Sequence, residues 1–285
     1  MWHNDEGEGV MAGKGNGRMA RGTWRKLILS AVLSGVLAAP LMAQDAAAES
    51  SAEAKQAFVT AANFQNNQSY DLAISEWESF LKAFPKDPLA AKAGYYLGIC
   101  QLQEKQFDKA AASFQAVITN YPKFESLEDA WLNLASSQYS LAVSGKPEFF
   151  ASAAQNYGTL VKSYPQSKHL DEALFYQGES FYSLGKRAEA AAAYSALITT
   201  AGLEKSARRA DAMYALGVAQ EELSQFAPAG MTYDLFLKEF PQNKLVTEED
   251  AEGRDRSASG WLCFRPRRCL QKLLLCPILL RPMPP

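Results

Sequence analysis

Three residue types recur in a fixed order five times between Ala54 and Leu245: a small residue, then an alanine, then an aromatic residue. The aromatic residues are spaced 37, 43, 37 and 39 residues apart along the chain: Trp77, Phe114, Tyr157, Tyr194 and Tyr233. Internal repetition with a period of roughly 20 to 50 residues is typical of repeat proteins, in which each unit packs only against its neighbours. The spacing therefore predicts an all-α solenoid of five helix pairs.

Each recurring residue has a steric role in a pair of packed helices. In the first helix, a small residue allows the paired helix to approach closely: Ala61, Gly98, Ala135, Gly178 and Gly217. In the second helix, an alanine four residues before the aromatic residue also allows the helices to approach closely: Ala73, Ala110, Ala153, Ala190 and Ala229. A proline eight residues after the aromatic ends the second helix: Pro85, Pro122, Pro165 and Pro241. In the fourth unit Gly202 stands at this offset and predicts a glycine C-cap.

These landmarks resemble the tetratricopeptide repeat, whose helix-turn-helix unit carries small, alanine, aromatic and proline positions in this order. The similarity is clear from Tyr95-Tyr96-Leu97-Gly98 through Ala110 to Tyr121-Pro122. It implies a right-handed α-solenoid over residues 54–245. The tyrosine-proline ending is similar to that of repeats in bacterial outer-membrane-assembly lipoproteins and in the periplasmic accessory protein of the Tol-Pal system. The third unit departs from the pattern by about six extra residues around Ser144 to Pro147.

The amino terminus has the organisation of a secretory signal peptide. Basic residues follow Met19, an apolar run extends from Leu27 to Leu41, and small residues precede a predicted cleavage after Ala43. Residues 1–43 are thus expected to be removed, with Met19 as a possible true start, and residues 44–53 form a flexible lead-in. The apolar run is short for a retained membrane anchor. No cysteine follows the cleavage point to accept a lipid, so a periplasmic protein without a transmembrane span is expected.

The carboxyl-terminal residues 246–285 differ from the rest of the chain. The repeat pattern stops near Ala251, and arginines, prolines and three cysteines accumulate beyond it. The spacing of Cys263, Cys269 and Cys276 lacks the close pairs of zinc ligands, so no metal site is predicted. A disordered tail and an aberrant end produced by a shifted reading frame both fit this composition.

Composition and residue inventory argue against catalysis and against nucleic-acid binding. The net charge is −2 with acidic and basic residues intermixed, whereas a phosphate-binding surface requires a basic stripe. His169 is expected in a solvated loop and Cys100 as a packed side chain, and the adjacent Glu221 and Glu222 point in different directions on a helix. We therefore expect no enzyme activity and no cofactor.

The remaining candidate for function is the concave face, which the first helices line in arrays of this kind. Residues that share this face of the first helices form a predicted aromatic column that binds a partner: Phe58, Tyr95, Ile99, Leu132, Tyr139, Phe175, Tyr182 and Tyr214. The sequence predicts a scaffold that binds a peptide segment or helix of another envelope protein. An alternative is a docking module of a cell-wall enzyme system that binds a glycan or a lipid carrier. A further alternative is that these aromatic residues only pack between the helices.

Overall fold

The computed structural model describes residues 49–245, which contain ten α-helices and no β-strand. In chain order the helices are α1 (Ala52–Asn66), α2 (Tyr70–Ala83), α3 (Ala90–Gln103), α4 (Phe107–Asn120), α5 (Leu127–Val143), α6 (Phe149–Ser163), α7 (Leu170–Ser183), α8 (Arg187–Thr199), α9 (Arg209–Glu222) and α10 (Phe226–Glu239). They form five units, each with an odd-numbered first helix and an even-numbered second helix. The predicted signal peptide and the tail from residue 246 lie outside the described residues. No helix of the described part is long and apolar enough to cross a membrane.

Each helix packs against the helix before it and the helix after it, so the units stack in sequence. The first helices α3, α5, α7 and α9 also contact one another from unit to unit, more extensively than any pair of second helices does. Successive first helices from α3 to α9 therefore approach one another more closely than successive second helices do. This arrangement confirms the predicted all-α repeat array and the five helix pairs.

The small residues of the first helices lie directly against the aromatic residues of the second helices. A Cβ atom at Gly98 would lie 2.7 Å from Phe114 Cζ, and one at Gly178 would lie 2.4 Å from Tyr194 Cε1. The corresponding distance from Gly217 to Tyr233 Cε1 is 2.3 Å. All these separations are shorter than van der Waals contact, so any side chain here would displace the ring. The predicted register of small and aromatic residues is thereby confirmed.

A second set of contacts within the units is polar. A glutamine carbonyl oxygen on the first helix accepts a hydrogen bond from a polar side chain on the second helix. The pairs are Gln65 with Trp77 Nε1 at 3.0 Å, Gln101 with Ser113 Oγ at 2.7 Å, Gln138 with Asn156 Nδ2 at 2.7 Å and Gln220 with Thr232 Oγ1 at 2.8 Å. In the fourth unit the apolar residues Phe181 and Ala193 stand at the positions of the last three pairs. The hydrogen bonds fix how the two helices of a unit pair, since an unpaired polar group in the interface would be costly.

A recurring turn connects one unit to the next. In three connections, and again after α10, a short polar side chain accepts a hydrogen bond from the backbone N–H of the residue two positions later: Asp87 from Leu89, Ser167 from His169, Ser206 from Arg208 and Asn243 from Leu245. After the first three of these turns the next first helix begins at once. Such local side-chain bonds favour turns and helix starts over continued helix.

The extra residues of the third unit lie partly in a helix. The helix α5 has 17 residues, whereas α3, α7 and α9 have 14 each. It ends at Val143, and the predicted insertion from Ser144 to Pro147 forms only the following turn. The insertion thus lengthens the first helix as well as the loop.

The role predicted for Gly202 is corrected by the structure. Helix α8 ends at Thr199 with Thr200 as its C-cap, two residues before the glycine. Gly202 has a φ of +91°, which favours glycine, and its N–H donates to the Glu204 carboxylate at 3.0 Å. The glycine shapes the loop that follows the helix and does not cap the helix itself.

Candidate partner-binding surface

The residues of the predicted column lie on the side where the first helices approach one another. On each first helix, residues that are three, four or seven positions apart lie along one stripe, because the α-helix has about 3.6 residues per turn. These residues lie on α1, α3, α5, α7 and α9, and the last four of these helices contact one another from unit to unit. The column divides into two groups that differ in burial.

Four residues of the predicted column lie in the core: Leu132, Tyr139, Phe175 and Tyr214 are between 2 and 8% exposed. The Tyr139 ring lies 5.0 Å from that of Tyr176, and Phe175 lies 6.1 Å from Tyr194. Each therefore fills space between helices, as the packing alternative expected. Side chains buried to this extent offer a partner little area in this arrangement, and a role of these four residues in partner binding stays a prediction.

The other four residues are half-buried: Phe58, Tyr95, Ile99 and Tyr182. The Phe58 ring packs edge-on against Trp77 at 4.7 Å, so much of its area is used within the first unit. On α3, Tyr95 and Ile99 share a stripe with the half-buried Leu102. We call these three residues, Tyr95, Ile99 and Leu102, the α3 stripe.

Tyr182 lies apart from the α3 stripe, on α7. Its hydroxyl donates to Glu222 at 2.8 Å, and the guanidinium of Arg187 lies 3.8 Å from its ring centroid while also pairing with Glu222. This cluster joins α7, the start of α8 and the end of α9. The neighbouring charges make Tyr182 a polar part of the surface, in contrast to the apolar α3 stripe.

A buried carboxyl group lies on α7, three residues before Tyr182. Glu179 on α7 is buried, and its Oε1 accepts a hydrogen bond from the Tyr194 hydroxyl at 2.6 Å. The pKa of Glu179 is raised to about 7, chiefly by burial and to a smaller extent by the nearby Asp211, while the hydrogen bond from Tyr194 and the charge of Arg208 act in the opposite direction. Glu179 therefore changes its charge close to neutral pH.

This arrangement predicts that stability depends on pH through Glu179. Its folded pKa exceeds the ordinary carboxyl value of 4.5, so the native state binds more protons than the unfolded state between the two values. The free energy of unfolding should then fall as the pH rises from 4.5 to about 7. Glu179→Gln should stabilise the protein by up to about 3 kcal/mol at roughly pH 8 and much less near pH 4. Urea unfolding of the parent and the variant at both pH values measures this difference in stability. A difference of equal size at both pH values would contradict the prediction.

Arg208 was not anticipated at this surface from the sequence. It precedes α9, yet its guanidinium lies 4.6 Å from the ring centroid of Tyr176 and 5.5 Å from that of Phe175 on α7. Such cation–π contacts hold an arginine across the boundary between two units. Arg208 lies in the turn before α9 and not on a helical stripe, so helical spacing alone does not single it out.

The residues that were candidates for catalysis are buried or hydrogen-bonded to other side chains of the array. Cys100 is fully buried, and burial raises the pKa of its thiol to about 12, so the reactive thiolate is suppressed. His169 is half-buried in a connection, where its Nε2 lies 2.8 Å from Asp129 Oδ1. Glu222 accepts from Tyr182 and Glu221 accepts from Tyr233. Between residues 49 and 245, no group of histidine, cysteine and acidic residues is arranged to hold a metal ion.

Comparisons with known proteins agree with this geometry. Family models described as tetratricopeptide repeat match residues 58–123, 172–201 and 211–243, which fall in helices α1 to α4 and α7 to α10. No curated protein matches the sequence.

Solved structures with the same fold include a tetratricopeptide repeat protein from Parabacteroides merdae and MamA. The first is 18% identical with a TM-score of 0.53, and the match covers 70% of this chain and 71% of that one. For MamA the identity is 15% and the TM-score 0.54, with 71% and 96% covered. YrrB, described as a TPR protein with an unusual peptide-binding site, is 19% identical with a TM-score of 0.51, and the match covers 67% and 88%. At these identities the similarity concerns the fold.

Proposed function

We propose that this chain, whose described residues form a tetratricopeptide-repeat array, is an exported scaffold that binds a segment of another cell-envelope protein. The observation that carries the proposal is the α3 stripe, where Tyr95, Ile99 and Leu102 are half-buried and follow one another at helical spacing. Apolar residues at positions i, i+4 and i+7 form the kind of surface on which a partner helix or extended segment packs. The peptide-binding site of YrrB, a protein of similar fold, supports the same type of function.

Export and the envelope partner rest on the sequence. The signal-like segment 1–43 and the resemblance to outer-membrane-assembly lipoproteins and to the Tol-Pal accessory protein support a periplasmic location. The mature protein would begin near Gln44. Its partner would then be another protein of the envelope.

Glycan binding is the less suitable function for this surface. Sugar rings stack on an open aromatic face, but the Tyr95 ring is surrounded by Tyr96, Phe114 and Phe124 at centroid distances of 5.7 to 5.9 Å. Its hydroxyl also accepts a hydrogen bond from Asn133 Nδ2 at 3.2 Å. Tyr95 is thus held in place by other side chains, and its exposed edge suits an apolar protein contact.

The proposal is tested by changing Ile99 and Leu102, which like Tyr95 are half-buried residues of the α3 stripe. Ile99→Asp and Leu102→Asp should each reduce capture of the partner from a periplasmic extract by about tenfold or more, since central apolar contacts dominate binding. Leu72→Asp is the matched control, because Leu72 is an exposed leucine on the second helix α2. Captured proteins are quantified by mass spectrometry after each variant is matched for helical circular dichroism.

Two results would count against the proposal. If both α3 variants capture the same proteins as the Leu72→Asp control, the α3 stripe is not the binding surface. If the chain is absent from the periplasmic fraction, the proposed export is wrong. A parallel Tyr182→Ala variant shows whether the polar patch on α7 adds to the affinity.

A further inference from the structure

The outer side of α10 carries more exposed apolar residues than any other described helix. Phe226 is 63% exposed and Leu237 is 43% exposed. The two residues lie on one stripe of the helix with Gly230 between them, since they are three helical turns apart. We call Phe226, Gly230 and Leu237 the end stripe. Met231 and Leu235 are exposed too, but they point to a different side of α10.

In the earlier units the corresponding stripe is covered by the first helix of the next unit. The equivalents of Gly230 and Leu237 are Ile74 and Leu81 on α2, Ala111 and Ile118 on α4, Ala154 and Val161 on α6, and Ala191 and Ile198 on α8. All of them are buried or half-buried. The equivalents of Phe226 on the first three of these helices are Tyr70, Phe107 and Phe150, which are likewise covered. The end stripe therefore has the character of the interface between units, but it is exposed.

The opposite end of the array does not match this stripe. On α3, the residues that face the preceding unit are Ala90, Ala93, Leu97 and Cys100, all buried. Their equivalents on α1 are Glu53, Gln56, Thr60 and Asn63, of which only Thr60 is partly covered. Packing α1 of one molecule on α10 of another would bury a charge and three polar side chains without designed partners, which is costly. Open-ended stacking of molecules is thereby disfavoured.

We propose that two copies of this chain associate through their end stripes, α10 against α10, about a two-fold axis. A two-fold interface needs only one surface patch, because the same residues meet on both copies. In an antiparallel crossing centred between Phe226 and Leu237, Phe226 of each copy lies over Leu237 of the other. Gly230 is near the centre of the crossing, and no atom lies within 4 Å of a Cβ built there, so two helices can approach closely. In this interface α10 of the second copy takes the place of the first helix that covers the equivalent stripe in the earlier units.

The test is the molecular mass of the full mature chain in solution. Sedimentation equilibrium should give a dimer at micromolar concentrations, and Phe226→Glu combined with Leu237→Glu should raise its dissociation constant by about a hundredfold or more. Met231→Glu is the matched control on the other exposed side of α10, and it should leave the dimer intact. Gly230→Leu, which projects into open space in the single chain, should preserve folding and weaken association.

Three results would overturn the proposal. A monomer at all concentrations would indicate that another segment covers the end stripe, residues 246–285 of the same chain included. A dimer that is unchanged by the double substitution would place the interface elsewhere. A dimer broken equally by Met231→Glu would assign it to the side of α10 that carries Met231 and Leu235. The end stripe and the α3 stripe are on different helices, so these outcomes are independent of the proposed partner binding.

Discussion

Replacement of Trp77 by alanine is expected to lower the free energy of unfolding by about 3 to 5 kcal/mol. The indole is fully buried in the first unit and packs against Phe58 at 4.7 Å and Tyr96 at 5.6 Å. Its Nε1 donates to Gln65 Oε1 at 3.0 Å, a bond that alanine cannot form. The variant would lose a large apolar contact, leave a cavity and remove the polar contact between α1 and α2.

Urea unfolding followed by circular dichroism measures this effect. Trp77→Phe retains one aromatic ring and loses the hydrogen bond and part of the apolar area, so its effect should lie between those of the parent and Trp77→Ala. Leu72→Ala serves as the surface control, since Leu72 is exposed on the same helix. Unfolding curves of Trp77→Ala and the parent that superimpose would show that the ring does not join α1 to α2 as described.

The loss of stability caused by Trp77→Ala should first affect the helices next to the substitution. Each unit contacts only its neighbours, so the loss at Trp77 acts directly on α1 to α3. Amide hydrogen exchange of the variant is expected to accelerate there while α9 and α10 remain protected. Uniform acceleration along the array would instead indicate that all five units unfold as one cooperative block.

Gly217→Ala is the second substitution with a large expected effect on the free energy of unfolding. Whether it lowers or raises this free energy is the informative result. In an ordinary helix position this substitution stabilises a protein by roughly 0.5 to 1 kcal/mol, because alanine restricts the unfolded chain and favours helix. At Gly217 the new Cβ would lie 2.3 Å from Tyr233 Cε1, so the ring must move. We expect destabilisation by about 1 to 3 kcal/mol, the usual scale of overpacking.

The same unit offers the control. Gly230 also lies within a helix, but a Cβ built there meets no atom within 4 Å. Gly230→Ala should therefore stabilise the chain by about 0.5 to 1 kcal/mol. Both variants are compared by urea unfolding at a protein concentration low enough to keep the chain monomeric. If the two substitutions change stability in the same direction, the close approach of Gly217 to Tyr233 is wrong.

The repeat could be predicted because its landmarks are local and steric. A glycine such as Gly178, opposite a ring such as Tyr194, leaves one solution for how two helices pair, and the period then fixes the number of units. A proline after four of the five second helices added the boundaries. These features depend on a few residues each, so one sequence was enough to identify them.

The candidate surface was harder to predict, because exposure depends on how neighbouring units meet. Tyr95 and Phe175 occupy equivalent positions on their helices, yet Tyr95 is half-buried and Phe175 is buried. The difference arises from neighbours in other units, among them Arg208 over Phe175 at 5.5 Å. Helical spacing assigns a residue to a face but does not give the depth at which that face is covered.

The hydrogen bonds between glutamine and its partner on the second helix also govern how units can be exchanged by recombination. A crossover between Gln101 and Ser113 that joined α3 to the second helix of the fourth unit would place the Gln101 side chain opposite Ala193, with no donor. The reverse exchange would place Ser113 opposite Phe181. Chimaeras whose crossovers fall in the turns between units, such as the one at Asp87, keep every pair intact. Shuffled libraries of this array should therefore yield folded members mainly when the two helices of a unit are inherited together.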